Sequence, residues 1–402
     1  MLLKRLQISV IIGLSLLVAL AAGTDAIVGF ARNANFGAAL AIYPNDPVAR
    51  TALSEQNILS GIEPAKLPLI GYFAKRSILS QALNARGLGQ LALSLTDKNQ
   101  PRAETLMRLA VKMSRRDLIV QLWQVEQSKA DGKIGQALYH FDIGMRTRSS
   151  GWPYFFPILT SDLEDADFRQ KFALYLHSKP IWLNFFLAHA ISNSANPENI
   201  ASMIQNGGGL PDGTGFRDNE AALLSQLLNK SGSQAVKSFY ASLKRSSSAD
   251  VLTSLRFSKI STDVRRSPVT WSTLQSANGE SAFFEDTRTK AMNLKAIISA
   301  GQREIIARKL VFLTPGRYRP SLKLGPSQMG QGASVYATLT CVDRGKLQLV
   351  WQDVFNISVS PKPMIIPADC EAQYFDLWLY GGDNQGGAEL VVQSASIEPL
   401  IQ

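Results

Sequence analysis

The chain has 402 residues, 46% hydrophobic and 18% charged, with 42 Lys+Arg against 32 Asp+Glu for a net charge of +10. That length gives room for about two or three domains, and that composition excludes an intrinsically disordered chain. The basic residues are dispersed, at Arg115 and Arg116, Arg146 and Arg148, Lys244 and Arg245, Arg265 and Arg266, Arg308 and Lys309, Arg317 and Arg319, a distribution that excludes a single nucleic-acid groove.

The first element is apolar. Lys4 and Arg5 precede a run from Leu6 to Gly23 broken only by Gln7, Ser9 and Ser15. Thr24 and Asp25 interrupt it before a further apolar patch, Ala26-Ile-Val-Gly-Phe30. A positive N-terminal flank keeps that end in the cytoplasm and exports the rest. The run is close to the ~20 residues a spanning helix needs, and its continuation past Asp25 reads as an uncleaved membrane anchor over residues 1–30. A cleaved signal peptide, cut beside Ala19, Ala21, Ala22 or Gly23, is the alternative.

Residues 31–262 have helical texture, with apolar residues three and four apart and turn residues every 12–18 positions. The pattern predicts helices at 34–42, 47–59, 78–93, 101–114, 117–128, 133–147, 166–177, 181–192, 221–228 and 234–243. Ala103, Met107 and Ala110 return one 34-residue unit later as Ala137, Phe141 and Gly144, and a weaker third copy is Ala166, Gln170 and Ala173. Such a period marks stacked helical hairpins. The glycine-rich stretch Asn206-Gly-Gly-Gly-Leu-Pro-Asp-Gly-Thr-Gly215 lacks the Gly-Lys-Ser/Thr ending of a phosphate loop and reads as a connection between helices.

From residue 263 to 402 short alternating segments replace the helices: 269–273, 281–286, 291–298, 305–314, 317–323, 334–341, 346–354, 363–367, 373–380 and 388–397. That density of strands predicts an antiparallel β-sandwich or jelly roll. The fold class is therefore multidomain α plus β: a transmembrane helix, an α-solenoid and a sandwich. Cys341 and Cys370, the only cysteines, both lie in this last region. In an exported protein a disulfide between them is the default, two buried thiols being the alternative. No histidine lies in this half, so metal ligation is not expected.

The stretch Phe36-Gly-Ala-Ala-Leu-Ala-Ile-Tyr-Pro-Asn-Asp-Pro-Val-Ala49 resembles a tetratricopeptide-repeat junction, though the Trp–Leu–Gly–Tyr pattern of that family's first helices is absent. Trp271, Leu310-Val-Phe-Leu-Thr-Pro-Gly-Arg-Tyr318 and Ile366-Pro-Ala-Asp-Cys-Glu-Ala-Gln373 together resemble the tail domain of bacterial membrane-anchored repeat proteins of the envelope. In strand count the region is also similar to jelly-roll carbohydrate-binding modules. The resemblance implies an inner-membrane protein with its bulk in the periplasm, in surface-polysaccharide assembly or export; it identifies no catalytic residue.

Candidate chemistry is sparse. His140, His177 and His189 fall in apolar helical segments, where a histidine is more often a packing or boundary residue than a base. No nucleophile elbow, zinc-protease helix or paired-cysteine metal motif occurs, so no catalytic residue, metal or cofactor is expected. Asp162, Glu164, Asp165 and Asp167 cluster at a helix start, where they complement its dipole. The binding candidate is the strand 373–380. Alternation sends Phe375, Leu377 and Leu379 to one face and Tyr374, Asp376, Trp378 and Tyr380 to the other. Three amphipathic rings and a carboxylate suit sugar stacking, or equally a protein or interdomain interface. Trp271 and Trp351 follow the apolar alternation and read as core. The expected partners are the membrane, other envelope proteins along the helical repeats, and an anionic polysaccharide, with no nucleic acid. A general protein-interaction adaptor and a carbohydrate-active enzyme with two distant carboxylates are the alternatives.

Overall fold

In a computed structural model, residues 2–59, 64–81, 83–243, 250–355, 361–383 and 386–400 are described, with side chains from Gly13 onward and Thr214's excepted. The side chains of Lys4 and Arg5, and the Lys244–Arg245 pair, lie outside the described residues. The chain divides into two compact units, Met1–Phe155 and Phe156–Gln402.

The first unit opens on a single helix, Leu2–Ala34. Thr24 and Asp25 interrupt the apolar run but not the helix: the Thr24 hydroxyl donates to the Ala21 carbonyl, a bond made inside a helix, and Asp25 points outward. Gly13–Ala34 contains an 18-residue stretch of mean hydropathy 1.9, long and apolar enough to cross a membrane. Asn35 ends this helix and caps the next, Phe36–Ile42, by accepting from the Ala38 N–H at 2.7 Å. Val28 and Ala31 then pack with Ala39 and Ala49. The guanidinium of Arg32 grips the buried carboxylate of Asp46 with both oxygens, Nε to Oδ1 at 3.1 Å.

Antiparallel hairpins follow: Pro47–Leu59, Leu67–Ser80, Ala85–Leu95, Gln100–Met113, Leu118–Ala130 and Ile134–Thr147. Short side-chain acceptors start most of them, Asp46 to the Ala49 N–H, Asn84 to Gly87, Asn99 to Arg102 and Asp117 to Val120, which satisfies N–H groups that have no partner inside the helix. The segment expected as one helix over 78–93 belongs to two, one ending at Ser80 and the next starting at Ala85, where Asn84 caps anew. Leu67–Ser80 is an additional helix outside the expected set, with Pro68 in its first turn, where proline is tolerated. The first two copies of the 34-residue period are buried: Ala103, Met107, Ala110, Ala137 and Phe141 all face inward. At Gly144 an added Cβ would lie 2.4 Å from the Phe155 ring, so the small residue is what lets that ring in.

The second unit begins with helices at Ala166–Phe172, Leu174–Ser178, Leu183–Asn193, Pro197–Asn206, Thr214–Lys230, Ser233–Ser242 and Asp250–Thr253. The third copy of the period holds only at Ala173, which is buried. Ala166 and Gln170 are exposed, because Phe168 and Phe172 take the inward face, Phe168 stacked on Phe172 and Phe172 packed in turn against Trp182 and Phe186. Gly209 and Gly213, at φ +109° and +151°, turn the chain between Pro197–Asn206 and Thr214–Lys230.

The strands are β1 Ser272–Thr273, β2 Gln275–Ser276, β3 Gly279–Glu285, β4 Met292–Ile298, β5 Arg303–Val311, β6 Gly316–Leu324, β7 Gln328–Met329, β8 Ser334–Asp343, β9 Lys346–Phe355, β10 Met364–Ile366, β11 Gln373–Tyr380 and β12 Ala388–Pro399. They form two antiparallel sheets, a five-stranded one ordered β1-β5-β11-β8-β9 and a seven-stranded one ordered β10-β6-β12-β4-β3-β2, with β7 on β12. Between them lies one core that includes Trp271, Leu294, Leu339, Trp351, Phe375, Leu377, Leu379 and Leu390. The inward residues of β11 are fully buried, which is the burial that fixes its register. Cys341 and Cys370 are disulfide-bonded, with Cα atoms 5.5 Å apart.

Candidate functional site

The outward face of the five-stranded sheet carries the densest group of ring and charged side chains among the described residues of the sandwich. On β11 it presents Tyr374, Asp376, Trp378 and Tyr380, opposite the core residues Phe375, Leu377 and Leu379. Pairing with β8 sets Tyr336 beside Trp378 and Thr338 beside Asp376. Pairing with β5 sets Arg308 beside Asp376 and Arg303 beside Tyr380.

Arg303 reaches this face through a bulge. Between Leu377 and Trp378 the β5 register slips by one residue, so Leu377 pairs with Ala307 and Trp378 with Ile305. Ile306 and Ala307 then both enter the core. Without that extra residue, alternation would send Arg303 inward and Glu304 outward.

The four side chains singled out in β11 have unlike surroundings. Asp376 is only 3% exposed, and both its oxygens hold Arg308, from Nε at 2.7 Å and Nη2 at 2.8 Å. That fork–fork pair removes Asp376 from the contacts open to a ligand; it positions Arg308 instead. The hydrogen bond and charge of Asp376 raise the Arg308 pKa, and the guanidinium lies over the Tyr374 ring at 4.9 Å. Burial pushes the Tyr374 phenol up. Trp378 stacks on Tyr336 with centroids 5.5 Å apart and planes within 10°, and its Nε1 donates to Thr338 Oγ1 at 3.1 Å. Tyr380 donates to Asp383 Oδ1 at 2.5 Å, and that bond raises the phenol's pKa.

Arg303 is exposed, its guanidinium 5.4 Å from the Tyr336 centroid and 5.6 Å from that of Tyr380. It forms no ion pair with a carboxylate among the described residues. Two rings fix this cation by cation–π attraction while its N–H groups remain available to an acceptor. The face therefore offers a guanidinium, a half-buried indole and two phenols in two adjacent cross-strand pairs, Arg303–Tyr380 and Trp378–Tyr336. Alternation located the β11 residues, but Arg303, Arg308, Tyr336 and Thr338 come from strands whose register could not be read locally.

The remaining candidates have structural surroundings. His140 Nδ1 pairs with Gln121 Oε1 at 2.9 Å, and burial lowers its pKa. The His189 ring rests 5.7 Å from Phe156, and His177 is exposed. Asp165 caps Ala166–Phe172 through the Asp167 and Phe168 N–H groups, while Glu164 accepts from Asn196 and Asn199. In the first unit Glu55 is buried between Arg148, at 2.7 Å, and Arg86, at 3.3 Å; burial still leaves its pKa raised. Among the described residues no group of three or more His, Cys, Asp or Glu could hold a metal ion. No protein-family model matches the chain, and no curated protein matches it either.

Proposed function

We propose that this chain is a membrane-tethered binding protein of the bacterial envelope, an accessory or scaffold in surface-polysaccharide assembly or export, and not an enzyme. In this reading Leu2–Ala34 anchors the chain in the inner membrane with its bulk in the periplasm. The hairpins act as tetratricopeptide-like repeats that engage other envelope proteins, and the sandwich acts as a carbohydrate-binding module. The observation that carries the reading is Arg303, a cation without a carboxylate partner among the described residues, held over Tyr336 and Tyr380 beside Trp378. A sugar bearing a carboxylate or phosphate matches that group, its ring against aromatic surface and its anion on the guanidinium.

The test is binding of the full chain in detergent to immobilised acidic and neutral oligosaccharides. Acidic oligosaccharides should be retained and neutral ones not, with retention weakening as salt is raised. Arg303→Ala should lower affinity about tenfold, the scale of one lost charged hydrogen bond. Because Arg303 is exposed, its removal leaves the fold intact, whereas truncating Trp378 also removes the bond to Thr338 and the stack on Tyr336. Absence of acidic-glycan binding would refute the reading. The same half-burial of Trp378 and Tyr374 also suits a protein interface, the adaptor reading, for which crosslinked protein neighbours mapped to β11 would be the support.

A further inference from the structure

In the first unit the helices Phe36–Ile42, Pro47–Leu59 and Leu67–Ser80 enclose a pocket of about 460 Å³, within the ~300–1,000 Å³ usual for small-molecule sites. Its wall is apolar, from Leu40, Leu53, Leu69, Ile70 and Phe73, with Arg50 on the lining. The Arg50 guanidinium is held in place: Nε donates to the Pro44 carbonyl at 2.5 Å, Nη2 to Asn45 Oδ1 at 3.2 Å, and the group lies over the Phe73 ring at 5.0 Å. Its remaining nitrogen, Nη1, is buried without a hydrogen-bond partner among the described residues. A buried donor left without an acceptor costs free energy, and a small shift of the guanidinium toward an anion in the pocket would remove that cost. Lys66 adds a second basic side chain to the lining.

The position of this pocket along the chain identifies its occupant. Val28 and Ala31 of the apolar helix pack on Ala39 and Ala49, and Arg32 is locked to Asp46, the cap of Pro47–Leu59. Those contacts fall in the last turns of the candidate spanning segment Gly13–Ala34, the end of the helix nearest the hairpins. The pocket's helices are thus held against the membrane surface, with apolar walls and a fixed cation in reach of lipid.

We propose that this pocket binds one phospholipid of the spanned membrane, an acyl chain lying along Leu53, Leu69 and Phe73 and the headgroup phosphate accepting from Arg50. The proposal rests on the reading of Leu2–Ala34 as a membrane anchor. It ties the first hairpins to the bilayer independently of any glycan on the sandwich.

The full chain is reconstituted into phosphatidylcholine vesicles containing phosphatidylglycerol, a trace of it with a photoreactive acyl chain, then irradiated and digested for mass spectrometry. Label is expected on peptides containing Leu53, Leu69 or Phe73 as well as on residues 13–23. Arg50→Ala should cut the pocket label roughly tenfold, the loss expected for one charged hydrogen bond, while Arg50→Lys retains most of it. Leu69→Asp changes an exposed residue, 55% accessible, and should cut the pocket label without involving Arg50. Label on 13–23 should be unchanged in every variant. Label on 13–23 with unlabelled pocket peptides would overturn the site and leave the anchor standing. Absence of label on both would overturn the anchor as well. Displacement of the pocket label by free inorganic phosphate would overturn lipid as the occupant.

Discussion

Lys309 gives the sharpest stability prediction. It lies on β5 opposite Phe375, fully buried, with its Nζ donating to the Ser254 carbonyl. Burial drives its pKa from the ordinary 10.5 down to about 7, against a smaller opposing pull from Asp250. That difference corresponds to roughly 5 kcal/mol of cost to the folded state while the amine is charged. Below pH 7 both folded and unfolded chains carry the proton, and the folded state bears the whole cost. Between about 7 and 10.5 the unfolded chain keeps the proton that the folded chain has released, so stability rises with pH at up to about 1.4 kcal/mol per pH unit. Lys309→Met removes the charge, but leaves the Ser254 carbonyl without its donor at a cost of about 1–3 kcal/mol. The variant should therefore be more stable than the parent at pH 6–7 by about 2 kcal/mol or more, and less stable near pH 10, so that the two curves cross. Urea unfolding of both proteins across that range, compared as a difference so that other titrating groups cancel, measures it. Parallel curves would refute the reasoning, since they would mean that the amine keeps an ordinary pKa inside the fold.

Cys341→Ser should lower sandwich stability by about 2–5 kcal/mol, read as a drop in Tm, and alkylation of the oxidised parent should label neither cysteine. Glu220→Gln should cost about 3–5 kcal/mol by leaving Arg266, 7% exposed at its side chain, without the carboxylate at 3.3 Å; an unchanged melt would show the pair to be dispensable. Gly144→Ala should cost about 1–3 kcal/mol through overpacking against Phe155, with Gly135→Ala, where nothing lies within 4 Å, as the neutral control.

Much of the sandwich was legible because its strands obey a period of two. Gln373–Tyr380 runs between the residues alternation assigns it, and the others differ mainly at their ends. The helices were legible where apolar residues recur between polar caps, Pro47–Leu59 and Gln100–Met113 included despite their first-turn prolines, while three others that contain proline were missed. Trp152–Asp162 contains Pro157, Leu67–Ser80 has proline in its first turn, and so does Pro197–Asn206. The candidate site was half legible. Local alternation says which way Asp376 faces but not that Arg308, 68 residues away, closes over it. Arg303 was hidden for a stronger reason: strict alternation assigns it to the wrong face, and only the slip opposite Leu377 reverses that assignment. The third helical repeat misled because spacing alone ranked Gln170 above the aromatic side chains that outcompete it for burial.

The covalent ring closed by Cys341 and Cys370 has a topological consequence. Within its 29-residue span the chain contains β9 of one sheet and β10 of the other, and Cys370 closes it three residues before β11 begins in the first. The crossing is thus enclosed by the bond. Prising the two sheets apart at this edge would have to carry β10 away from β6 while both ends of its loop stay fastened beside β8 and β11. The sandwich can fray at β1 or β2, whose strands are two residues long, whereas β10 sits inside a loop whose two ends the oxidised chain keeps together.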